Sequence, residues 1–423
     1  MLCALGAFGA SSPLKVGTVE SGNEQFLIDI ALDNTCVTFY NGRNSLYRAQ
    51  LVSARAVAII HAFTEYTNGY QRVASVRRRV PSDVPTMAQC MRARLGVLVP
   101  FSCNNVYHQT FHAVPSSEHY AHGHSAPPAR GYPNDTLFVP LVHASAAIGR
   151  KMPAEPSRWH AWEYTLRALT AATADEIAQR TSAMLTAGCA CFERVEGTGA
   201  AFNPVGVGST PRLRAFRDAA LRHARLLRRP PVGIVGASAA EATSRPHRLL
   251  YFSRRHARRA VLNEAALLGE LHRISAEVPA GRAAVERVVL ESLPMVDQMD
   301  LVATASAIAT VHGQAMAWVL FLPSSERRTA AIELMPYGFP PDQLYRRLSR
   351  AAGVWYQRVG APLAGGCAGR RRFSGRYGRE EWLLCNVSVN VEPTAAAVQR
   401  ALEWCARPGT GTDDEIALRL AWP

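Results

Sequence analysis

The sequence predicts an α/β fold divided into two domains. The chain is 423 residues long and 48% of them are hydrophobic, which is enough apolar material for two cores. Apolar runs of strand length alternate with stretches of helical periodicity in both halves, an alternation typical of layered α/β structure. Residues 296–334 add the most informative pattern, because they read as a helix, a buried strand, a turn, a helix and a strand in succession.

The first predicted domain covers residues 1–229. Its predicted strands are residues 26–32, 36–40, 95–101 and 137–141, and its predicted helices are residues 52–63, 162–186 and 211–229. The strand segments alternate in polarity or are continuously apolar, whereas the helix segments repeat apolar residues at intervals of three and four.

A linker at residues 230–247 leads to the second predicted domain, residues 248–392. Strands and helices alternate along it, as expected for a parallel sheet. Its main predicted features, and the end of the chain, are the strands 248–252, 307–311 and 330–334, the turn His312-Gly313, and a C-terminal helix and tail over residues 393–423.

The chain carries a net charge of +14, from 47 basic and 33 acidic residues. A basic balance raises the question of nucleic acid as a partner. The arginine clusters lack the interleaved aromatic residues of a single-strand binder, and no zinc-finger or RNA-recognition pattern accompanies them. We therefore expect no nucleic acid, and instead either a solvated basic face or a site for an anionic ligand.

The cysteines and the first residues of the chain indicate in which cellular compartment the protein would fold. The nine cysteines contain no Cys-x-x-Cys pair, which argues against structural zinc and fits either buried thiols or a few long-range disulfides. Two sequons, at Asn134 and Asn386, would be used only in a secretory lumen. The apolar residues 2–10 make a poor signal peptide and are too short to span a membrane, so no membrane anchor is expected in this chain.

The turn His312-Gly313 is the first candidate ligand site. A turn between a strand and a helix directs backbone N–H groups to the helix N-terminus, where an anion can bind. His312 can donate to a phosphate or a leaving oxygen, and Gly313 lets the backbone approach a ligand closely. The alternative is that the glycine only relieves a tight turn and the histidine is a packed turn residue.

A second candidate follows the strand at residues 248–252, in a basic segment that contains Arg254 and Arg259. The carboxyl end of a parallel sheet is where α/β folds bind ligands, and arginine contacts phosphate oxygens through two N–H groups at once. Asn263 and Glu264 come next, and Asn263 is also placed to cap the following helix. The alternative is a basic surface loop.

The third candidate is the pair His108 and His112, which would share one face of a helix at a spacing of four residues. That spacing suits a metal pair, but no companion carboxylate accompanies it, so we predict no metal site. A neutral histidine can instead take a proton from a hydroxyl group near pH 7. The alternative is that the pair is structural and that His108 packs against the next strand.

These segments resemble glycosyltransferase family 61. The positions that match its motifs are Asn105, His108, Arg254, Arg259, Asn263, Glu264, Gln298, His312, Gly313, Leu320, Phe321, Leu322, Pro323, Glu333 and Leu334. The chain departs from the family at residues 314–316, which read Gln-Ala-Met where the family has Ala-Gly-Leu. It departs again at His112, where the family has an aspartate.

The resemblance implies a GT-B architecture, in which two Rossmann-like domains face a central cleft. It also implies an inverting, metal-independent enzyme that moves a sugar from a UDP-sugar to a glycan or protein hydroxyl. The sugar would be GlcNAc or a pentose such as xylose, and no cofactor is expected besides the donor substrate. The sequence contains no Asp-x-Asp dyad, which agrees with metal independence.

On this resemblance, the C-terminal domain binds the nucleotide-sugar and the N-terminal domain binds the acceptor. His112 is the expected catalytic base, with His108 as its substitute. The expected nucleotide-sugar-binding residues are Arg254, Arg259, Asn263, His312, Gly313 and Glu333. The enzyme is expected in the lumen of the Golgi or the endoplasmic reticulum, and the missing anchor then indicates a truncated chain or a truncated gene model. The alternative is a non-catalytic family member that only binds nucleotide or glycan.

Overall fold

The structure is a computed structural model, which describes some segments by their backbone alone and others with their side chains. The backbone alone is described for residues 29–41, 47–53, 58–60, 64–67, 70–73, 76–78, 100–101, 140–142, 160–161, 198 and 210–212. Backbone and side chains are described for residues 90–99, 106–107, 109–110, 113–114, 132, 136–139, 162–197, 213–227, 247–254, 259–277, 283–336, 344–360 and 386–409. The chain divides into two compact units, Met1–Asn203 and Pro204–Pro423.

Both units combine strands and helices, so the predicted α/β class is confirmed. The described strands are, in chain order, β1 Asp29–Asn41, β2 Tyr47–Ser53, β3 Ala58–Ile60, β4 Thr64–Thr67, β5 Tyr70–Val73, β6 Val76–Arg78, β7 Met91–Phe101, β8 Leu137–Val142, β9 Cys189–Thr198, β10 His247–Phe252, β11 Ala283–Val288, β12 Ala307–Val311, β13 Ala330–Met335 and β14 Trp355–Gly360. The described α-helices are His160–Arg167, Ala174–Ala187, Thr210–Leu227, Glu264–Glu277, Met295–Ala303, Leu344–Ala351 and Val391–Ala406. Leu290–Ser292 and Gln314–Phe321 are 3-10 helices.

The first unit is built on a mixed sheet in the order β2-β1-β9-β7-β8. β7 pairs in parallel with β8 and β9, while β1 pairs antiparallel with β9 and β2. The parallel part is apolar and enclosed, since Val97, Val99 and Val139 are fully buried. The predicted strands at residues 95–101 and 137–141 are therefore confirmed.

The predicted helix at residues 52–63 is wrong. Strand β2 continues to Ser53, and β3 pairs with β6 in a small antiparallel sheet. Ile59 and Ile60 are β-branched, and such side chains favour an extended backbone. Strand pairing therefore outweighs the helical spacing of the apolar residues in this segment.

The predicted helix at residues 162–186 is two helices, because one helix ends before Thr173 and a new helix begins directly after it. The hydroxyl of Thr173 accepts from the backbone N–H of Glu176 at 3.2 Å, and the Glu176 carboxylate accepts from the backbone N–H of Thr173 at 2.8 Å. This reciprocal pair is a capping box, which starts the helix Ala174–Ala187. Gly188, in the left-handed region at φ 72, ends it.

A disulfide joins the start of β7 to the start of β9. It links Cys90 to Cys189, whose Cα atoms are 4.9 Å apart although 99 residues separate them in sequence. Cys191 also takes part in a disulfide, whereas Cys405 is a buried free thiol. The two alternatives for the cysteines, long-range disulfides and buried thiols, are therefore both present.

The second unit is a doubly wound, Rossmann-like layer structure. Its sheet has the order β11-β10-β12-β13-β14, and each neighbouring pair is parallel. Counting these strands from one to five along the chain, the order is 2-1-3-4-5, which reverses direction between β10 and β12. The arrangement of two such domains around a cleft stays a prediction.

The central strands of this sheet are covered on both faces. Every residue of β12 and β13 is buried, as expected for the central strands of a parallel sheet that is covered on both faces. The helix Val391–Ala406 packs on one face through side chains such as Val398 and Leu402, both fully buried. Burial of one such side chain contributes about 1.5–3 kcal/mol to stability. Within the described part of the chain, we find no helix with the length and apolar character needed to cross a membrane.

Candidate functional site

The strand order reverses between β10 and β12, and in doubly wound sheets the carboxyl ends of the two strands at such a reversal border a crevice that binds ligands. These two strands are neighbours, with Phe252 paired to Thr310 at their ends. The chain leaves β10 toward one side of the sheet and leaves β12 toward the other, so the two following loops separate at this point. Arg254 follows β10, and the His312-Gly313 turn follows β12. The two predicted candidate segments therefore lie at one edge of the sheet.

Gly313 lies where the two arginine side chains meet. A Cβ built on it would lie 2.7 Å from Nη1 of Arg254 and 3.0 Å from Nη2 of Arg259. Only a glycine leaves room for both guanidinium groups in this arrangement. Gly313 also precedes the 3-10 helix Gln314–Phe321, as the sequence predicts for the turn.

Arg259 is held by the turn itself. Its backbone is in the left-handed region at φ 67, and its Nη1 donates to the backbone oxygen of His312. Burial, and then the like charge of Arg254, lower the pKa of Arg259 to about 10. The left-handed backbone conformation of Arg259, which is unusual for arginine, thus accompanies a partly buried guanidinium group that contacts the turn.

Arg254 is the second cation of the crevice. Burial lowers its pKa, and the charges of Glu291 and Tyr345 act in the opposite direction. Its Nε is buried without a hydrogen-bond partner among the described residues. Two like charges held beside the same glycine repel each other, and the charge of Arg254 contributes to the lowered pKa of Arg259. The site therefore favours an anion that contacts both guanidinium groups.

His312 is fixed by a buried carboxylate. Its Nδ1 lies 2.5 Å from Oε1 of Glu333, and the hydroxyl of Tyr356 donates to Oε2 of the same group. The ring of Tyr345 packs edge-on against the imidazole, with centroids 5.2 Å apart. Burial and the negative charge of Glu333 raise the pKa of Tyr356 above its usual range. Glu333 therefore contacts His312 and Tyr356 with its carboxylate, rather than lying open to the crevice.

Asn263 holds the loop that carries Arg259. Its side-chain amide donates to the backbone oxygen of Val389 at 2.8 Å and accepts from the backbone N–H of the same residue at 3.0 Å. Leu262 and Val387 extend this connection through a backbone hydrogen bond of 2.9 Å. Asn263 directly precedes the helix Glu264–Glu277 and its backbone oxygen accepts from the N–H of Leu267 at 3.1 Å, so it occupies the predicted cap position, while its side chain joins two chain segments. Its role toward a nucleotide stays a prediction.

Two further motif residues have structural partners. Gln298 donates to the backbone oxygens of Leu290 and Leu293 at 2.9 and 2.8 Å, and so secures the start of its helix. Glu264 pairs with Arg287 at 3.1 Å. Both interactions stabilise the elements beside the crevice.

The sequence did not identify Tyr345 or Tyr356 as part of the site. Tyr356 lies on β14, and Tyr345 lies on the helix Leu344–Ala351. Neither belongs to a motif or follows a strand, so only their contacts with His312 and Glu333 reveal them.

The predicted catalytic residues His108 and His112 lie outside the described residues, and their role stays a prediction. Their described neighbours at 109–110 and 113–114 are helical and buried. Gln109 donates to the hydroxyl of Thr165 at 2.7 Å, which ties this segment to the helix His160–Arg167. Within the described ranges, His, Cys, Asp and Glu side chains do not form a group of three or more that could hold a metal ion.

Comparison with known proteins finds the same family. Residues 156–329 match the family described as Glycosyltransferase 61, a range that contains Arg254, Arg259, Asn263, His312 and Gly313. A mouse protein named Protein O-linked-mannose beta-1,4-N-acetylglucosaminyltransferase 2 (Mus musculus) is 34% identical over 113 residues. That alignment covers 26% of this chain and 18% of the mouse protein.

Proposed function

We propose that this chain, which belongs to glycosyltransferase family 61, transfers a sugar from a nucleotide-sugar to a hydroxyl group of a glycan or protein. The observation that carries the proposal is the convergence of Arg254 and Arg259 on Gly313, at the point where the strand order reverses. Doubly wound sheets bind nucleotides in this crevice. Two guanidinium groups beside the same glycine can both contact the diphosphate of such a donor.

The chemistry of transfer explains why cations are needed. As the acceptor oxygen attacks the anomeric carbon, the bond to the diphosphate breaks and negative charge develops on its leaving oxygen. Arg254 and Arg259 would stabilise that charge without a metal ion, because their positive groups are already in place before the reaction. We infer that transfer is metal-independent and that it inverts the configuration of the anomeric carbon in a single displacement.

We propose UDP-GlcNAc or a UDP-pentose such as UDP-xylose as the donor. The mouse relative is named as an N-acetylglucosaminyltransferase that acts on O-linked mannose, which supports a GlcNAc donor and a glycan acceptor. The acceptor would bind in the N-terminal domain, with His112 as the base that takes its hydroxyl proton and His108 as the substitute. The C-terminal domain would bind the nucleotide in a GT-B arrangement.

We propose that the protein works in the lumen of the secretory pathway, in the Golgi or the endoplasmic reticulum. The disulfide between Cys90 and Cys189 supports this compartment, because such bonds persist in oxidising surroundings.

A second candidate function is nucleotide or glycan binding without catalysis. The departures from the family motifs favour it, since Ala315 stands where the family has a glycine and His112 stands where it has an aspartate. A donor-hydrolysis assay separates the two, because an active enzyme releases UDP slowly even without an acceptor.

The proposed function is tested by UDP binding. Arg259→Ala should weaken UDP binding by about 1.5–3 kcal/mol, the usual contribution of a charge-assisted hydrogen bond. Titration calorimetry measures the dissociation constants of both proteins, and a thermal-shift screen of UDP-GlcNAc, UDP-xylose and related donors identifies the sugar.

Arg273→Ala is the matched control for that test. Arg273 is exposed on the helix Glu264–Glu277 and pairs only with Glu270 and Glu277 among the described residues. Its loss should leave UDP affinity unchanged. Equal weakening by both variants, or no UDP binding by the parent, would contradict the proposed site.

A further inference from the structure

The segment that joins β10 to the helix Glu264–Glu277 carries both arginines of the crevice. Ser253 is its first residue, directly before Arg254, and Glu264 begins the helix at its other end. The positions of the two guanidinium groups at the turn therefore depend on how the two ends of this segment are held.

One side chain of the neighbouring strand contacts both ends of the segment. Nη2 of Arg287, on β11, donates to the hydroxyl of Ser253 at 3.1 Å and lies 3.1 Å from Oε2 of Glu264. Arg287 can reach both because β11 runs parallel to β10 and directly beside it. The backbone N–H of Ser253 also donates at 2.8 Å to the backbone oxygen of Val288, the last residue of β11. Strand β11 thus anchors the segment at its start and at its end.

The contacts of Arg287 are made with groups that are largely shielded from water. Ser253 is 1% exposed and the side chain of Glu264 is 14% exposed, while that of Arg287 is 33% exposed. Hydrogen bonds to a charged group are stronger in such surroundings than at an exposed site, and a buried acceptor that loses its donor is left unsatisfied. Loss of Arg287 would therefore leave both ends of the segment free to shift.

Of the two arginines, Arg254 depends more on this anchoring. Arg259 donates to the backbone oxygen of His312, and the residues that follow it, Ala260 and Leu262, form backbone hydrogen bonds of 2.8 and 2.9 Å with Val387. Nε of Arg254, in contrast, is buried without a hydrogen-bond partner in the described part of the chain. The position of Arg254 therefore follows from its neighbour in sequence, the residue that Arg287 holds.

We propose that Arg287 is a positioning residue of the diphosphate site, which holds Arg254 in place by joining both ends of the segment that carries it. This inference rests on the proposed function and deepens it. Arg287 acts through Arg254 and does not itself contact the diphosphate. The three atoms nearest to a Cβ built on Gly313 belong to Arg254 and Arg259, which agrees with this division of roles.

The test measures the affinity of Arg287→Ala for UDP and for inorganic pyrophosphate by titration calorimetry. Both dissociation constants should rise by about tenfold, the factor that corresponds to losing part of the charge-assisted hydrogen bonding of Arg254. The factor should be the same for the two ligands, because a displaced Arg254 affects the diphosphate and not the nucleoside. Arg287→Lys keeps a positive charge and a donor, so its affinities should lie between those of the parent and Arg287→Ala.

A double-mutant cycle separates positioning from direct binding and from general stabilisation. In the Arg254→Ala background, Arg287→Ala should change UDP affinity by less than about twofold, because the side chain through which it acts is absent. Ser253→Ala removes one contact of Arg287 and keeps the ion pair with Glu264. It should weaken UDP binding by the parent and not by Arg254→Ala. Thermal melting shows whether each variant is folded, and Ser253→Ala decides the question if Arg287→Ala is unfolded.

Arg248→Ala is the matched control. Arg248 lies near the start of β10 and donates from Nε to Glu286 of β11 at 2.8 Å, so it joins the same two strands away from the crevice. Its loss should leave both affinities unchanged.

Three results would overturn this inference and leave the proposed function standing. They are unchanged UDP affinity in folded Arg287→Ala (or in Ser253→Ala, if Arg287→Ala is unfolded), weaker binding of UDP but not of pyrophosphate, and an equal effect of Arg287→Ala in the Arg254→Ala background. Absence of UDP binding by the parent would overturn both.

Discussion

Replacing Gly313 with alanine perturbs the crevice where it has least room. The added Cβ would lie 2.7 Å from a nitrogen of Arg254 and 3.0 Å from a nitrogen of Arg259, so both guanidinium groups must move by a few tenths of an ångström. These groups are the ends of flexible side chains, and they give way at small steric cost. After the substitution, the two guanidinium groups can no longer lie beside residue 313 at the same time in their present positions.

Two effects of Gly313→Ala can be estimated. The backbone at Gly313, with φ 155 and ψ −174, lies in a region occupied almost only by glycine, so alanine should lower the free energy of unfolding by about 1–3 kcal/mol. A charge-assisted hydrogen bond contributes about 1.5–3 kcal/mol, and two of them would be partly lost. The UDP dissociation constant should therefore rise by about ten- to a hundredfold.

Calorimetric titration with UDP measures the affinity of this variant, and thermal unfolding measures its stability. Gly269→Ala is the control, since Gly269 lies in the helix Glu264–Glu277 and its added Cβ would have nothing within 4 Å. That change should raise stability by roughly 0.5–1 kcal/mol and leave UDP affinity unchanged. A Gly313→Ala protein that binds UDP as tightly as the parent would refute the reasoning.

Two other predictions concern catalysis itself. Sugar transfer should persist in excess EDTA, because cationic side chains replace a metal ion at the diphosphate; complete loss of activity that Mn²⁺ restores would contradict this. If His112 is the base, the rate should rise with pH through an apparent pKa near the ordinary histidine value of about 6.5. His112→Ala should then lower kcat by about 10²–10⁴-fold with little change in UDP affinity, and an unchanged kcat would show that His112 is structural.

The grouping of Arg254 with His312 and Gly313 was predictable because of a general property of parallel sheets. Residues that directly follow parallel strands all lie at the same edge. The sequence shows which residues follow strands, so it indicates a shared site although Arg259 and His312 are 53 positions apart. What each residue does at that edge is a separate question, which binding measurements decide.

The directions of the side chains were not predictable. Glu333 and Asn263 both belong to motifs, yet the carboxylate of Glu333 contacts Tyr356 within the sheet and the amide of Asn263 contacts the backbone of Val389. The spacing of residues along the chain indicates on which face of a strand or helix a side chain lies. The residue that this side chain contacts depends on which other segment packs against that face. For the same reason, no sequence pattern indicates that Tyr356 belongs to the site.

By itself, the sequence determined the α/β class, the strand-turn-helix unit around Gly313 and the resemblance to family 61. These follow from local patterns of apolar residues, turn residues and motif spacing, which act over a few positions at a time. Only the tertiary structure decided the strand order, the pairing of Cys90 with Cys189 and the contact between His312 and Glu333. Each of these joins segments far apart in the chain, so it depends on how the elements pack together rather than on the order of residues within any one of them.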